Sequence, residues 1–217
     1  MKTTKLLICA ISIAAATAAS QVQAQNLSTE LLGFSPTRQV MGTIDGSAAP
    51  GQEYTSGVMN YQDFTNATFF DAFCVQPSAS MSINDTPTYL IQDISLLPNS
   101  YEISLLVDLY ISSSKTDEDA AAVQWAIWEI INESTLPTYS LLDGNVQVYS
   151  PAGQAAAADV YLTSMQALAD ASAVPTVSLV YLTSDSYQNV VSWNAVPEPG
   201  TAGLVALSAL CFFRRRR

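Results

Sequence analysis

Residues 120–131 read Ala-Ala-Ala-Val-Gln-Trp-Ala-Ile-Trp-Glu-Ile-Ile, and no other stretch leaves the chain fewer choices. The residues favour helix, and the acidic run Thr116-Asp117-Glu118-Asp119 just before them suits a helix start and its dipole. Leu136-Pro137 supplies a stop. At helical spacing, residues 120, 124, 128 and 131 share a face, with Val123, Ile127 and Ile130 beside it, while the acids at 119, 129 and 133 mark a more exposed side. The rest of the chain must therefore cover an apolar helix that carries Gln124 within its greasy band. A primary amide in that setting costs about 1–3 kcal/mol if its hydrogen bonds are unmet. Gln124 must have partners there, or must have lost its amide nitrogen chemically.

The flanking sequence supplies both layers. Residues 40–44, 54–61, 68–75 and 89–96 are rich in β-branched and aromatic residues, separated by turn clusters such as Asp45-Gly46 and Asn84-Asp85-Thr86-Pro87. Asn99 with Glu102 resembles a capping box, and Ile103, Leu106, Val107 and Tyr110 then fall on one helical face. A third helix is predicted over about 152–172, and strand pattern returns at 176–183 and 189–194. Strands, then helices, then strands predict an α+β domain: sandwich- or barrel-like strands with an inserted cluster of about three helices.

Composition removes whole classes of function. The chain has 217 residues and no histidine, which excludes Ser-His-Asp and Cys-His catalysis and His-ligated metals. With three cysteines there is no zinc cluster or disulfide framework, and no metal or cofactor is expected. Residues 25–195 hold 18 Asp and Glu against Arg38 and Lys115, a net of −16 that repels nucleic acid.

The two ends read as addresses. Residues 1–24 form a signal peptide: Lys2 and Lys5, an apolar stretch from Leu6 to Ala19, and small residues at the Val22-Gln23-Ala24 cleavage site. Residues 196–217 run from Val196-Pro197-Glu198-Pro199-Gly200 through apolar 201–213 to Arg214–Arg217. A helix over that apolar stretch rises only about 20 Å, short of a hydrocarbon core. This tripartite tail resembles the PEP-CTERM sorting signal of bacteria, with Pro197, Glu198 and Pro199 as the sorting motif. The resemblance implies an exosortase, transient anchoring at the inner membrane, tail removal, and delivery to the cell surface or an extracellular polysaccharide matrix.

Cys9 lies in the signal and Cys211 in the tail, so a processed chain keeps Cys74 alone. A lone exported thiol is buried and inert, paired with another chain, or consumed by other chemistry. Phe73-Cys74-Val75 closes a predicted strand, and Gln124-Trp125-Ala126-Ile127-Trp128 follows fifty residues later in the helix. The pair resembles the Cys-Gln thioester domain of bacterial surface adhesins, over roughly residues 40–195. That family has an aromatic-Cys-aliphatic motif and a Thr-Gln-x-Ala-aliphatic-Trp motif, and Val123 stands here in place of the usual Thr. The resemblance implies a cross-link between Cys74 and Gln124, with Phe73, Val75, Trp125 and Trp128 as candidate walls. It also implies capture of an amine on a protein or a small polyamine, in a single turnover rather than by enzymatic cycling.

Two other classes stand beside it. One is a non-covalent structural or carbohydrate-binding matrix protein, in which Cys74 and Gln124 are core residues. The other is a hydrolase using carboxylates from Asp117, Glu118 and Asp119. The second is disfavoured, because sequence neighbours at a helix start do not face one another and act instead as caps.

Overall fold

The computed structural model describes residues 26–44, 51–133 and 139–193. The signal segment, the sorting tail with Pro197, Glu198 and Pro199, and the turns at Asp45-Gly46 and Leu136-Pro137 lie outside the described residues.

Seven antiparallel strands and three helices build an α+β fold. The strands are β1 (Asn26–Thr43), β2 (Gln52–Asp63), β3 (Thr68–Cys74), β4 (Thr88–Gln92), β5 (Gln147–Ser150), β6 (Val180–Thr183) and β7 (Val190–Ser192). The helices are α1 (Ser100–Ser112), α2 (Asp117–Asn132) and α3 (Gln154–Asp170), of which α1 and α2 lie between β4 and β5 in sequence. Strand order is β2-β3-β7-β6-β4-β1-β5, and β1 also pairs with β2. The ladder therefore returns to its start, with β5 joined along the C-terminal end of β1. Closure leaves six strands without a free lateral edge, the arrangement that protects sheets from pairing with other chains.

β1 makes the closure possible. Its first residues pair with β4, its length with β2, and Met41–Thr43 with β5. The pattern in the sequence over 40–44 captures only its end. Register shifts between Leu31 and Gly33 and between Phe34 and Thr37 break the two-residue alternation that marks a strand. β5 was not foreseen either; four residues after a turn carry too little pattern.

Other limits have local causes. The strand expected over 89–96 stops at Gln92, where the Asp93 carboxylate accepts the Ser95 N–H at 2.8 Å and winds Ile94–Leu96 into a 3-10 turn. The strand expected from 176 begins only at Val180, because Asp108 on α1 accepts the Thr176 hydroxyl and the Val177 N–H, both at 2.9 Å. Asn99 is not a side-chain cap. It sits at φ 55°, and its amide donates to the Ile130 carbonyl at 2.8 Å, satisfying an orphan acceptor in the last turn of α2.

α2 begins with a complete capping box: the Thr116 hydroxyl accepts the Asp119 N–H, and the Asp119 carboxylate accepts the Thr116 N–H. The helix packs on β1 and β2 and against α1 and α3, so every residue from Ala120 to Ile130 is buried. A helix apolar all round belongs in such a central position. Of the acids at its start only Asp119 is a cap: Asp117 accepts the Thr37 N–H at 3.1 Å and Glu118 lies 3.9 Å from Arg38, both on β1. Glu129 is not on an exposed side; it is 1% exposed.

The fit between α2 and the sheet is close at Gly42. A Cβ there would lie 2.3 Å from the Gln147 carbonyl oxygen and 2.4 Å from the Trp125 ring. Gly42→Ala is expected to cost about 1–3 kcal/mol, lowering Tm by about 2–4 °C for each of them. Thermal melting of the two proteins checks this.

Candidate functional site

β2 leaves β3 before β3 ends. Their register runs from Asp63 opposite Thr68 to Met59 opposite Ala72 and goes no further. On its other edge β2 pairs with β1 throughout, from Asp63 opposite Thr29 to Gln52 opposite Gly42, and by Gly57, at φ +146° opposite Thr37, only that edge is paired. Two residues beyond Ala72, Cys74 directs its N–H and C=O to the same side, since alternate residues of an antiparallel strand share a direction. On the other side β3 continues to pair with β7, Cys74 opposite Val190.

Gln124 fills the place that β2 has left. The Cys74 N–H donates to Gln124 Oε1 at 2.9 Å, and Gln124 Nε2 donates to the Cys74 carbonyl at 2.7 Å. One carboxamide thus completes the ladder as a neighbouring peptide group would. Gln124 is 1% exposed and Cys74 3%. Because the amide spans the N–H and C=O of one residue, its carbon faces the Cα that carries the sulfur.

The sulfur has its own surroundings. The Gln76 N–H donates to Cys74 Sγ at 3.3 Å. Burial pushes the thiol up to about 12, opposed in part by the Gln76 N–H and the Trp128 side chain. By strand alternation the sulfur shares a face with Ala72 and Phe70, and the Phe70 ring stacks on Tyr61. The Tyr61 hydroxyl meets that of Tyr89 at 3.1 Å, and both approach the Met81 sulfur.

The candidate walls divide. Trp128 lies one helical turn beyond Gln124, on the same face of α2. Trp125 and Trp128 meet edge to face at 5.1 Å between centroids, and the half-buried Tyr54 contacts both rings. The Trp125 N–H donates to Ser56 Oγ at 2.9 Å, fixing α2 to β2 at the point where β2 diverges. Val75 is buried, and its N–H pairs with the Asn189 carbonyl beside the sulfur's neighbour Gln76. Phe73 is no wall to the sulfur: it alternates to the other face of β3, where its ring packs on Tyr110 and Trp193.

Sequence reasoning missed three participants. Gln76 and Ser56 act through a backbone N–H and a small hydroxyl, which no sequence pattern announces. Tyr54 belongs to a strand that was foreseen, but its contact with the helix depends on where β2 bends.

Among the described residues no group of His, Cys, Asp or Glu is arranged to hold a metal, and no helix is long and apolar enough to cross a membrane.

Residues 195–217 match the PEP-CTERM protein-sorting motif. The chain is therefore an exported protein, sorted by an exosortase and held transiently at the membrane through its C-terminal tail. No curated protein and no solved structure matches the chain.

Glu129, one residue past Trp128, provides a separate test of the burial of α2. Its Oε1 accepts the Ser140 N–H at 2.9 Å, while Oε2 has no partner among the described residues. Desolvation raises its pKa to about 8. A carboxyl raised on folding contributes stability at low pH that is lost as pH climbs from the ordinary carboxylate range through 8. Glu129→Gln, which mimics the neutral acid, should match the native protein near pH 4. It should exceed native stability progressively up to pH 8, by several degrees in Tm. Melting curves across that range check the sign.

Proposed function

We propose that this is a surface or matrix protein in which Cys74 and Gln124 form an internal thioester that captures an amine nucleophile. The two-point pairing of the Gln124 carboxamide with the backbone of Cys74 carries the reading. It pairs an otherwise unreactive amide with the backbone of the residue that carries the one thiol remaining once the signal and tail are removed.

The chemistry uses groups already in place. The sulfur attacks the side-chain carbon of Gln124, and charge develops on Oε1, which the Cys74 N–H already faces at 2.9 Å. The carbon–nitrogen bond breaks, and Nε2 takes up the thiol proton to leave as ammonia. Proximity does most of the work, since an amide is a poor electrophile and the thiol ionises reluctantly when buried. An incoming primary amine then attacks the same carbon, forms an amide with Gln124, and returns its proton to the Cys74 thiol. The protein is consumed once and does not turn over. Lysines on a partner protein and small polyamines are the expected amines, drawn toward a body of net charge −16. The sorting tail supplies the setting, the cell envelope or an extracellular polysaccharide matrix, in which such a bond would serve adhesion.

A second reading is a non-covalent structural or carbohydrate-binding matrix protein. One observation favours it: the Cys74 N–H and C=O satisfy both ends of the Gln124 carboxamide, which is what a core glutamine requires.

Intact mass separates the two. The thioester reading expects purified protein one ammonia lighter than its processed sequence, a methylamine adduct located at Gln124, and loss of both in Cys74→Ala. Full sequence mass with no methylamine uptake would leave the non-covalent reading standing.

A further inference from the structure

The three tryptophans of the described fold are not equivalent. Trp125 spends its N–H on Ser56 Oγ at 2.9 Å. Trp128, 2% exposed, has an indole N–H with no hydrogen-bond partner among the described residues. Such a buried donor is unfavourable and calls for a reason. The Trp128 ring is held from two sides, by Trp125 at 5.1 Å and Tyr54 at 5.6 Å between centroids. Trp128 stands one turn beyond Gln124, whose carboxamide is bonded to the Cys74 backbone, and its side chain favours the Cys74 thiolate without making a hydrogen bond to the resting sulfur. A thiol sulfur is a weak acceptor and a thiolate a strong one. A donor without a partner in the resting state, beside an atom that must later take up negative charge, matches what differential binding of a transition state requires.

We infer that the Trp128 indole N–H stabilises the Cys74 sulfur as the leaving group when an amine opens the thioester. The inference rests on the thioester reading. In that step the amine nitrogen bonds to the Gln124 side-chain carbon, the carbon–sulfur bond breaks, and its electron pair goes to Sγ. The Gln76 N–H at 3.3 Å and the Trp128 N–H then share the developing thiolate. The proton released from the amine nitrogen afterwards neutralises the sulfur. Burial makes an unassisted thiolate expensive at this position, so the second donor matters most there.

The test compares the full protein with Trp128→Phe and with benzothienylalanine placed at position 128. The second keeps the bicyclic ring and lacks only the N–H, so it retains the packing if phenylalanine does not. Methylamine uptake is followed by intact mass, with the rate taken per bonded molecule. Both variants should lose ammonia as the wild type does and take up methylamine at the same site, about 10-fold to 100-fold more slowly. In the amine-opened products, alkylation of Cys74 should shift to higher pH in the variants, a change that lost packing alone does not produce. Equal uptake rates in variants and wild type would overturn the role of Trp128 and leave the thioester intact. Variants that melt normally but never lose ammonia would move the donor to bond formation, and the opening role would fall. A wild type that keeps its ammonia would remove both.

Discussion

One carboxamide standing in for a strand organises this molecule. β2 pairs with β1 from end to end but with β3 only from Asp63 to Met59, and the early end of that second ladder leaves a backbone N–H and C=O at Cys74. Buried peptide groups without partners are costly, so something has to replace the missing strand. Gln124 does so from a helix. The position of α2, the bend of β2 and the burial of Cys74 are thus linked through a single side chain. The Trp125–Ser56 hydrogen bond fastens two of these elements, α2 and β2, directly.

That linkage also explains why the helix is apolar all round. α2 meets sheet on one side and two helices on others, so hydrophobic side chains face partners in every direction. The exceptions are informative. Gln124 is fully satisfied, whereas the Trp128 N–H and one oxygen of Glu129 are not. The two unsatisfied atoms sit on consecutive residues in the C-terminal half of α2, and the other Glu129 oxygen accepts from the Ser140 segment.

Much of this was legible from residue order. The helical periods gave α1, α2 and α3 nearly to their ends, because Thr116, the serines after Tyr110 and Pro137 punctuate them. The chemistry-bearing pair, Cys74 and Gln124, could be chosen by solitude in one case and by misfit in the other. What could not be read depends on distant partners. β1 hides behind its bulges, and Asp108 removes Thr176 and Val177 from the ladder through contacts 68 and 69 residues away. Glu129 looks like a surface acid on a helical wheel, and only the third helix with the segment at Ser140 makes it an interior one. Alternation along β3 could have placed Phe73 away from Cys74, had the strand's two faces both been recognised as buried.

The sorting motif begins almost as soon as the fold ends. Ser192 is the last residue of β7, a strand in the middle of the ring, and Pro197 is only five positions on. Five residues reach at most about 18 Å even when fully stretched. The apolar stretch opens at residue 201, nine positions past Ser192, so at the bilayer the domain is held on a leash of at most about 32 Å. β7 enters the ring beside Cys74 and leaves it beside Ala72, so the strand itself runs away from the sulfur toward the tail.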